Sequence, residues 1–337
     1  MRYSIPVAAA LAALLGAGFD RSAAAPPAAP AKADRLAPPV AVELDGKPQE
    51  SGYPFLGDID GDGRPDLLVG GDTDGRLRVF RNVGPRGGVR LAAPVWFDET
   101  VPTGRVPRGC AAAYFYPQLA DFDGDGRPDL LTGSNCCDPA GFHVFRRTAD
   151  GWAPRQRCEV SAGKAGGFLF HRSFVTAADW DGDGVPDLLW RAGGNRGIAV
   201  ALGPFKGTGP HELAHTIEFT PRPATVDEGV QDMAVADWDG DGNPDLLVHL
   251  SLDVRRGGIY WYRNLGGPGL KRLAAGELLL GEAALAGPTP AARRTDGFCV
   301  GDWDGDGRPD LLVTRQDLTP PGPAGVWRGS TWLYRRM

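Results

Sequence analysis

The sequence shows no helical periodicity, no long apolar run beyond residue 18, and none of the short motifs of common nucleotide-binding or hydrolytic sites. A G-x-S-x-G elbow, a P-loop and a dinucleotide-binding fingerprint are all missing. Because a membrane-spanning helix needs about 20 apolar residues, we expect no span after the N-terminus. The chain of 337 residues carries 49 Gly and 30 Pro, too many for a helical protein, so we expect many short strands joined by turns.

The sequence also has fewer basic residues than acidic residues. The 36 Lys and Arg face 42 Asp and Glu, which gives a formal net charge of −6 at pH 7 and argues against nucleic acid as the main partner. Twenty of the acidic residues are aspartates in five copies of one nine-residue motif. Negative charge concentrated in a few short segments predicts that these segments bind cations. A hydrophobic content of 42% is enough for a folded core.

Residues 1–24 have the pattern of a secretory signal peptide. Arg2 precedes an apolar segment at residues 5–18, which is too short to span a bilayer and typical of a signal sequence, and small residues at Ser22 and Ala24 fit cleavage after Ala24. Residues 25–39 are rich in Ala and Pro and predict a linker. We therefore expect an exported protein that is secreted, periplasmic or at the cell surface; a buried helix is the alternative for the first segment.

Five repeats of about sixty residues organise the remaining chain, residues 40–337. Each repeat contains the motif D-x-D-G-D-G-x-P-D-L-L, whose first residues are Asp58, Asp121, Asp179, Asp237 and Asp302. An apolar strand leads into each motif, a second leaves it, and an alternating aromatic strand and a fourth strand follow. This pattern predicts an all-β protein, a five-bladed β-propeller of four-stranded antiparallel blades. A linear solenoid is the structural alternative.

The two ends of the repeat region predict how the ring closes. After Asp302 the chain contains three predicted strands of a blade and lacks a fourth, whereas residues 40–44 have a strand pattern ahead of the first repeat. We expect this N-terminal strand to complete the last blade, because closure removes an exposed sheet edge.

The repeated motif predicts a metal-binding loop. Aspartates at positions 1, 3, 5 and 9 converge because the glycines at positions 4 and 6, such as Gly63, can adopt positive φ. Four close carboxylates repel one another unless a cation lies among them. The proline at position 8 favours an extended conformation of residue 7, which directs the carbonyl of residue 7 inward. The four carboxylates, this carbonyl and a water offer six or seven oxygens, a number that favours Ca²⁺ over Mg²⁺. An Asp-Gly turn that binds nothing is the alternative.

The prediction is therefore about five Ca²⁺ ions, one in each loop. The predicted ligands are Asp58, Asp60, Asp62, Arg64 and Asp66; Asp121, Asp123, Asp125, Arg127 and Asp129; Asp179, Asp181, Asp183, Val185 and Asp187; Asp237, Asp239, Asp241, Asn243 and Asp245; and Asp302, Asp304, Asp306, Arg308 and Asp310.

These repeats resemble the FG-GAP/VCBS family, whose relatives include the blades of integrin α-subunit propellers. The resemblance extends over residues 40–337 and depends mainly on the nine-residue loops. It implies Ca²⁺ held between the first and second strands of each blade. No D-x-S-x-S metal-adhesion motif is present, so integrin ligand recognition is not implied.

Two classes of function remain open. We favour a monomeric binding or adhesion module for an extracellular protein or glycan over a polysaccharide-active lyase or hydrolase. The ligand is expected on the face opposite the calcium loops, where the connections differ between repeats. The contact candidates there are Tyr114, His171, Arg172, Arg294 and Trp327. The candidates for an enzyme are His171, Arg172, Arg293, Arg294 and Asp296.

Two weaker patterns concern histidine and cysteine. The segment His211–His215 matches the H-E-x-x-H pattern of zinc proteases, which needs a helix, but its place in the repeat predicts a fourth strand. Five cysteines in an exported chain predict disulfides. Cys110 and Cys158 are each expected to bridge to one of the adjacent Cys136 and Cys137, with the connectivity open, and Cys299 is expected to be a buried free thiol.

Overall fold

In a computed structural model of the protein, five antiparallel sheets are arranged in a ring, as in a five-bladed β-propeller. The residues that the structure describes are 36–42, 44, 49–50, 52–71, 77–85, 88–97, 115–132, 141–161, 175–191, 197–206, 211–212, 214–217, 229–253, 256–266, 272–281, 284–285, 293–317 and 328–337. The predicted signal peptide lies outside these residues, and so do residues 25–35 of the predicted linker.

The strands are short, as the glycine and proline content predicts. In chain order they are β1 Val40–Val42, β2 Gln49–Glu50, β3 Gly52–Gly57, β4 Asp66–Gly71, β5 Leu77–Phe80, β6 Val95–Trp96, β7 Pro117–Ala120, β8 Asp129–Thr132, β9 Gly141–Phe145, β10 Arg147–Thr148, β11 Gly151–Trp152, β12 Gln156–Ser161, β13 Val175–Ala178, β14 Asp187–Arg191, β15 Ile198–Ala201, β16 His211–Glu212, β17 His215–Ile217, β18 Gly229–Ala236, β19 Asp245–Asp253, β20 Arg256–Tyr262, β21 Glu277–Gly281, β22 Arg293–Gly301, β23 Asp310–Asp317 and β24 Arg328–Tyr334.

Each blade contains four strands in antiparallel order. Blade one is β3-β4-β5-β6, blade two β7-β8-β9-β12, blade three β13-β14-β15-β17, blade four β18-β19-β20-β21, and blade five β22-β23-β24 followed by β1. The short strand β2 also pairs with β24, beside β1. A short hairpin of β10 and β11 follows the third strand of blade two. The predicted first, second and third strands are all present, which confirms the assignment of the repeat to one blade.

The first strand of the chain closes the ring. β1 pairs antiparallel with β24, with Val40 opposite Leu333 and Val42 opposite Thr331. The contact continues towards the N-terminus, where the Ala37 N–H donates to the Arg335 carbonyl at 2.7 Å. The prediction that the N-terminal strand completes the last blade is confirmed.

The histidine segment of blade three is built from strands. β17 pairs antiparallel with β15 as the fourth strand of its blade, as predicted, so this segment is not the helix that a zinc protease needs. β16 instead pairs parallel with β12 of blade two, with His211 opposite Val160. This connection between blades was not predicted, because it depends on how the two sheets pack and not on the repeat.

The second strand of every blade is buried on both faces, which explains its apolar sequence. In a strand, successive side chains point to opposite faces, so the two consecutive leucines enter different cores. Leu67 packs between blades five and one, and Leu68 packs between blades one and two. The equivalent leucines of all five blades are fully buried: Leu67 and Leu68, Leu130 and Leu131, Leu188 and Leu189, Leu246 and Leu247, and Leu311 and Leu312. Among the described residues, the hydrophobic core therefore has one large cluster at each blade interface, and Tyr53 and Tyr116 form a further small one.

A hydrogen bond crosses each of the five blade interfaces, and we call this set the inter-blade belt. It consists of Phe115 N–H to the Gly71 carbonyl at 3.2 Å, Ala177 N–H to Gln118 Oε1 at 3.3 Å, Thr176 Oγ1 to the Met233 carbonyl at 2.9 Å, Phe298 N–H to Asp232 Oδ2 at 2.8 Å, and Thr314 Oγ1 to the Gly52 carbonyl at 2.6 Å. The last of these joins blade five to blade one. The ring is therefore closed, and the solenoid alternative is wrong.

Asp232 is the charged member of the belt. Its two oxygens accept the N–H groups of Phe298 and Met233, both at 2.8 Å, and burial raises its pKa to about 7 from 3.8. Because the folded pKa lies above the unfolded one, the folded state binds the proton more tightly. The stability this provides is complete below about pH 4 and is lost as the pH rises through about 7.

We expect the Asp232→Asn variant to lose this pH dependence. In saturating Ca²⁺, which keeps the loop carboxylates ionised, the unfolding free energy of the parent should fall by about 1 kcal/mol per pH unit relative to the variant between pH 4 and 7. The comparison with the variant is needed because His249, opposite Asp232 on β19, has its pKa lowered to about 4 by burial and opposes the trend. The unfolding free energy of both proteins is measured by denaturant titration at several pH values. If it changes with pH equally in the parent and the variant, Asp232 is not the source of the pH dependence.

The cysteines are only partly described. Cys299 is a buried free cysteine, as predicted, and burial raises the pKa of its thiol. Cys158 is buried on β12, but Cys110, Cys136 and Cys137 lie outside the described residues, so the two disulfides stay a prediction. Among the described residues, no helix is long and apolar enough to cross a membrane.

Candidate metal centres

The five aspartate loops join the first and second strands of their blades. They lie between β3 and β4, β7 and β8, β13 and β14, β18 and β19, and β22 and β23. We number them loop one to loop five by blade. Since all five connect the same two strands, they lie on one face of the propeller.

The glycines at positions 4 and 6 give each loop its curl. All ten have positive φ, between 76° and 88°. A Cβ added at Gly61 or Gly63 would meet no atom within 4 Å, so glycine is required there by the backbone conformation and not by space. The predicted role of these glycines is confirmed.

The aspartate at position 1 holds the curled backbone together. In loop one, Asp58 Oδ1 accepts the N–H of Gly61 at 2.7 Å, and Oδ2 accepts the N–H of Gly63 at 2.7 Å. The same two bonds, at 2.7 to 3.0 Å, form in all five loops. The loop is thus preformed by its own side chain before any ligand is considered.

The aspartate at position 9 is buried at the start of the second strand. It is at most 2% exposed in every blade. In loop one, Asp66 accepts the N–H of Ile59 at 3.1 Å and of Asn82 at 2.8 Å. Burial, together with neighbouring loop carboxylates, raises the pKa of Asp66 to about 6 and that of Asp245 to about 7. Burial disfavours the ionised form of such a carboxylate, and a nearby positive charge is needed to favour it.

In every loop, three carboxylates offer oxygens that lie within 4.8 Å of one another. Loops one and five bring together positions 1, 3 and 5, whereas loops two, three and four bring together positions 1, 3 and 9. The groups are Asp58, Asp60 and Asp62; Asp121, Asp123 and Asp129; Asp179, Asp181 and Asp187; Asp237, Asp239 and Asp245; and Asp302, Asp304 and Asp306. The other predicted aspartates, Asp66, Asp125, Asp183, Asp241 and Asp310, belong to the same loops but lie outside these groups.

The residues at position 7 contact position 5. Their N–H groups donate to the position 5 carboxylate at 2.8 to 2.9 Å, and the side chains of Arg64, Arg127 and Arg308 pair with Asp62, Asp125 and Asp306. The equivalent residues in loops three and four are Val185 and Asn243. That their carbonyls bind metal stays a prediction.

The donor set fits a hard divalent cation. Oxygen atoms alone converge in each loop, which suits Ca²⁺. Loop five adds a specific observation: Asp304 Oδ1 is buried and has no hydrogen-bond partner among the described residues. Because an unpaired buried carboxylate oxygen is costly, a bound cation is its natural partner.

The residue that anchors each loop was not predicted from the sequence. Position 2 is always a large apolar residue, and it is buried in a different blade interface in each repeat. These residues are Ile59, Phe122, Trp180, Trp238 and Trp303. The repetition of an apolar residue between two aspartates is a signal that could have identified them. Arg146 was not predicted either: it directly follows β9 and pairs with Asp129, which begins the neighbouring strand β8.

The family model for the FG-GAP-like repeat matches residues 58–132, 121–190 and 237–313, more than half of the chain. The chain therefore belongs to the FG-GAP-like repeat family, as the sequence resemblance predicted. It is 32% identical over 156 residues to human integrin alpha-IIb, a match covering 42% of this chain and 14% of the relative. For mouse integrin alpha-IIb the identity is 30%, and 15% of the relative is covered. The match thus spans only a small part of the length of either integrin.

Solved structures with similar architecture include two carbohydrate-active enzymes. An exo-beta-1,3-galactanase from Phanerochaete chrysosporium has a TM-score of 0.49 at 7% identity, covering 90% of this chain and 64% of that one. A GH43_1 enzyme from Xanthomonas citri has a TM-score of 0.47 at 14% identity, covering 84% and 86%. At such values these structures do not indicate what this chain does.

Proposed function

We propose that this chain is an exported Ca²⁺-binding propeller that serves as a binding or adhesion module, with Ca²⁺ as a structural ion in its blade loops. The observation that carries this proposal is the convergence of three aspartate oxygens within 4.8 Å in each of five loops. Membership of the FG-GAP-like repeat family supports it. Export is supported by the signal-peptide pattern of residues 1–24.

The loop residues would hold the ion between two strands. Positions 1 and 3 follow the first strand of a blade, and position 9 begins the second. A Ca²⁺ ion supplies positive charge that offsets the repulsion among these carboxylates. The position 2 side chain, buried between blades, then couples the conformation of each loop to the packing of the ring.

Tryptophan fluorescence offers a direct test, because three loops carry Trp at position 2. We expect Ca²⁺ added to EDTA-treated and dialysed protein to change the emission of Trp180, Trp238 and Trp303, with saturation measured in parallel by calorimetry. Mg²⁺ at the same concentration should have a smaller effect, because it requires strict octahedral geometry. Calorimetry that shows no Ca²⁺ binding at millimolar concentrations would refute the proposal.

We further propose that an extracellular protein or glycan binds on the face opposite the calcium loops. The support is the unequal length of the blades on that side: β19 and β22 have nine residues each, whereas β7 and β8 have four. β19 and β22 therefore extend well beyond the aspartate loops towards the opposite face. Of the predicted contact residues, only the backbone of Arg294 on β22 is described; the others are Tyr114, His171, Arg172 and Trp327.

A glycan array probed with Ca²⁺-loaded and with EDTA-treated protein tests the nature of this ligand. If the Ca²⁺-loaded protein binds a glycan and the EDTA-treated protein binds it more weakly, the result supports a glycan ligand that the folded ring recognises. Hydrolysis or elimination of the bound polysaccharide would instead favour the enzyme. For that alternative, the backbone of Arg293 and Asp296 lies on β22, and His171 and Arg172 lie outside the described residues.

A further inference from the structure

We infer that loop two carries its own cation, the guanidinium of Arg146, and that this chain therefore fills about four of its five loops with Ca²⁺. The inference rests on the proposed function, because it concerns which of the proposed calcium loops are used. It changes the expected number of ions and makes the five repeats unequal.

Arg146 lies at the end of β9, with its side chain 11% exposed. Its Nη1 atom is 2.7 Å from Asp129 Oδ2 and 3.8 Å from Asp123 Oδ2. Asp129 and Asp123 are positions 9 and 3 of loop two, and together with Asp121 they form its convergent group. The guanidinium thus neutralises two of the three carboxylates that a Ca²⁺ ion would need.

The arginine is also fixed from the other side. Its Nη2 atom donates to the carbonyl of Phe205 at 2.7 Å, and Phe205 is a fully buried residue of blade three. The N–H of Phe205 in turn donates to the carbonyl of Phe122, the position 2 anchor of loop two, at 3.1 Å. Releasing Arg146 from Asp129 would leave its charge buried at the interface between blades two and three. A buried charge that loses its partner is strongly unfavourable.

The equivalent residues of the other blades are arranged differently. Arg81 and Arg335 approach position 3 of their loops at 3.6 and 3.5 Å, but their side chains are 56% and 53% exposed. Such side chains can turn into solvent when a metal ion binds. Blade three has Leu202 at this position, and blade four has Arg263, which is half-buried and lies near the position 3 carboxylate of Asp239. The position 9 carboxylate of that loop, Asp245, instead accepts the neutral indole N–H of Trp261 at 2.9 Å. Among the described loops, only loop two has a buried guanidinium on position 9.

The consequence is competition between two cations for the same oxygens. A Ca²⁺ ion entering loop two would either displace Arg146 or share Asp123 and Asp129 with it. The repulsion between the ion and the guanidinium is poorly screened at a buried site, so both routes weaken binding. Loop three, with Val185 at position 7 and Leu202 after its third strand, has no arginine at either place and should bind Ca²⁺ most tightly.

The test is the number of Ca²⁺ ions bound by the full protein, measured by equilibrium dialysis with radioactive Ca²⁺. We expect about four ions for the parent and about five for Arg146→Met, which removes the charge but keeps an unbranched side chain. The matched control is Arg81→Met, the exposed arginine at the same place in blade one, which should bind as many ions as the parent. Equal numbers for the parent and a folded Arg146→Met would overturn the inference.

A second measurement needs no variant and remains decisive if Arg146→Met does not fold. In a crystal structure of the parent grown with Ca²⁺, anomalous scattering should locate ions in loops one, three, four and five and leave Arg146 paired with Asp129. An ion in loop two, bound by Asp121 and Asp123, would overturn the inference but leave the proposed function intact. The proposed function itself fails if no loop holds an ion.

Discussion

Removing Ca²⁺ with EDTA is expected to lower the melting temperature of this protein by more than about 10 °C. A ligand that binds only the folded state stabilises it by about 2.7 kcal/mol per site at a hundredfold excess over its Kd. Several loops contribute to this stabilisation at once. For chains of about 150–250 residues, a decrease of 1 kcal/mol in the free energy of unfolding lowers the melting temperature by about 2–4 °C. The expected effect is therefore large.

The structure gives this effect a specific location. The position 9 carboxylates are buried at the start of the second strands, with the pKa of Asp66, Asp187 and Asp310 raised to about 6, chiefly by burial. Without a cation these groups must either take up protons or repel their neighbours. Differential scanning calorimetry in Ca²⁺, in EDTA, and in EDTA followed by excess Ca²⁺ measures the effect and its reversibility. A protein that binds Ca²⁺ yet melts at the same temperature in EDTA would show that the ions are not structural.

Deleting residues 40–44 is expected to cause aggregation or a large loss of stability. The deletion removes β1, which pairs with β24 over Thr331, Trp332 and Leu333, and this part of the edge becomes exposed although β2 still pairs with Arg328 and Gly329. It also removes Leu44, which is 5% exposed and belongs to the core between blades five and one. Burial of one such side chain contributes about 1.5–3 kcal/mol, in addition to the loss of the strand pairing.

Val40→Thr is the matched control for this deletion. Val40 lies on the same strand but is 57% exposed, so its substitution leaves the pairing with β24 in place and should change the melting temperature little. Size-exclusion chromatography and a thermal melt compare the parent, the control and the deletion. If the deletion variant elutes as a monomer and melts with the parent, β1 does not close the ring in solution.

The fold could be predicted because the sequence presents the same evidence five times. A single Leu-Leu-Val segment such as that following Asp66 is equally consistent with a buried helix, but five copies at a spacing of about sixty residues define a blade. The missing fourth strand after Asp302 and the strand pattern at residues 40–44 were enough to predict closure. These features depend on local sequence and on counting, both of which are available without a structure.

The details of the candidate metal centres could not be predicted in the same way. Whether position 5 or position 9 joins positions 1 and 3 differs between blades of nearly identical motif sequence, so the motif alone does not determine it. The contact of Arg146 with Asp129 depends on Phe205 of the next blade, which holds the arginine in place. The contact with Phe205 arises between repeats, whereas the repeated motif describes only what lies within each one.

The pairing of β1 with β24 also determines when the ring can be completed. Val40–Val42 pair with residues almost three hundred positions later in the sequence, so β1 has no partner strand until β24 is present. Contacts between such distant residues form slowly, because a long chain must first be brought together. Blades one to four have all their strands within their own part of the chain and can assemble in order during synthesis. We therefore expect ring closure to follow the assembly of blades one to four, and a chain that lacks β24 to remain open.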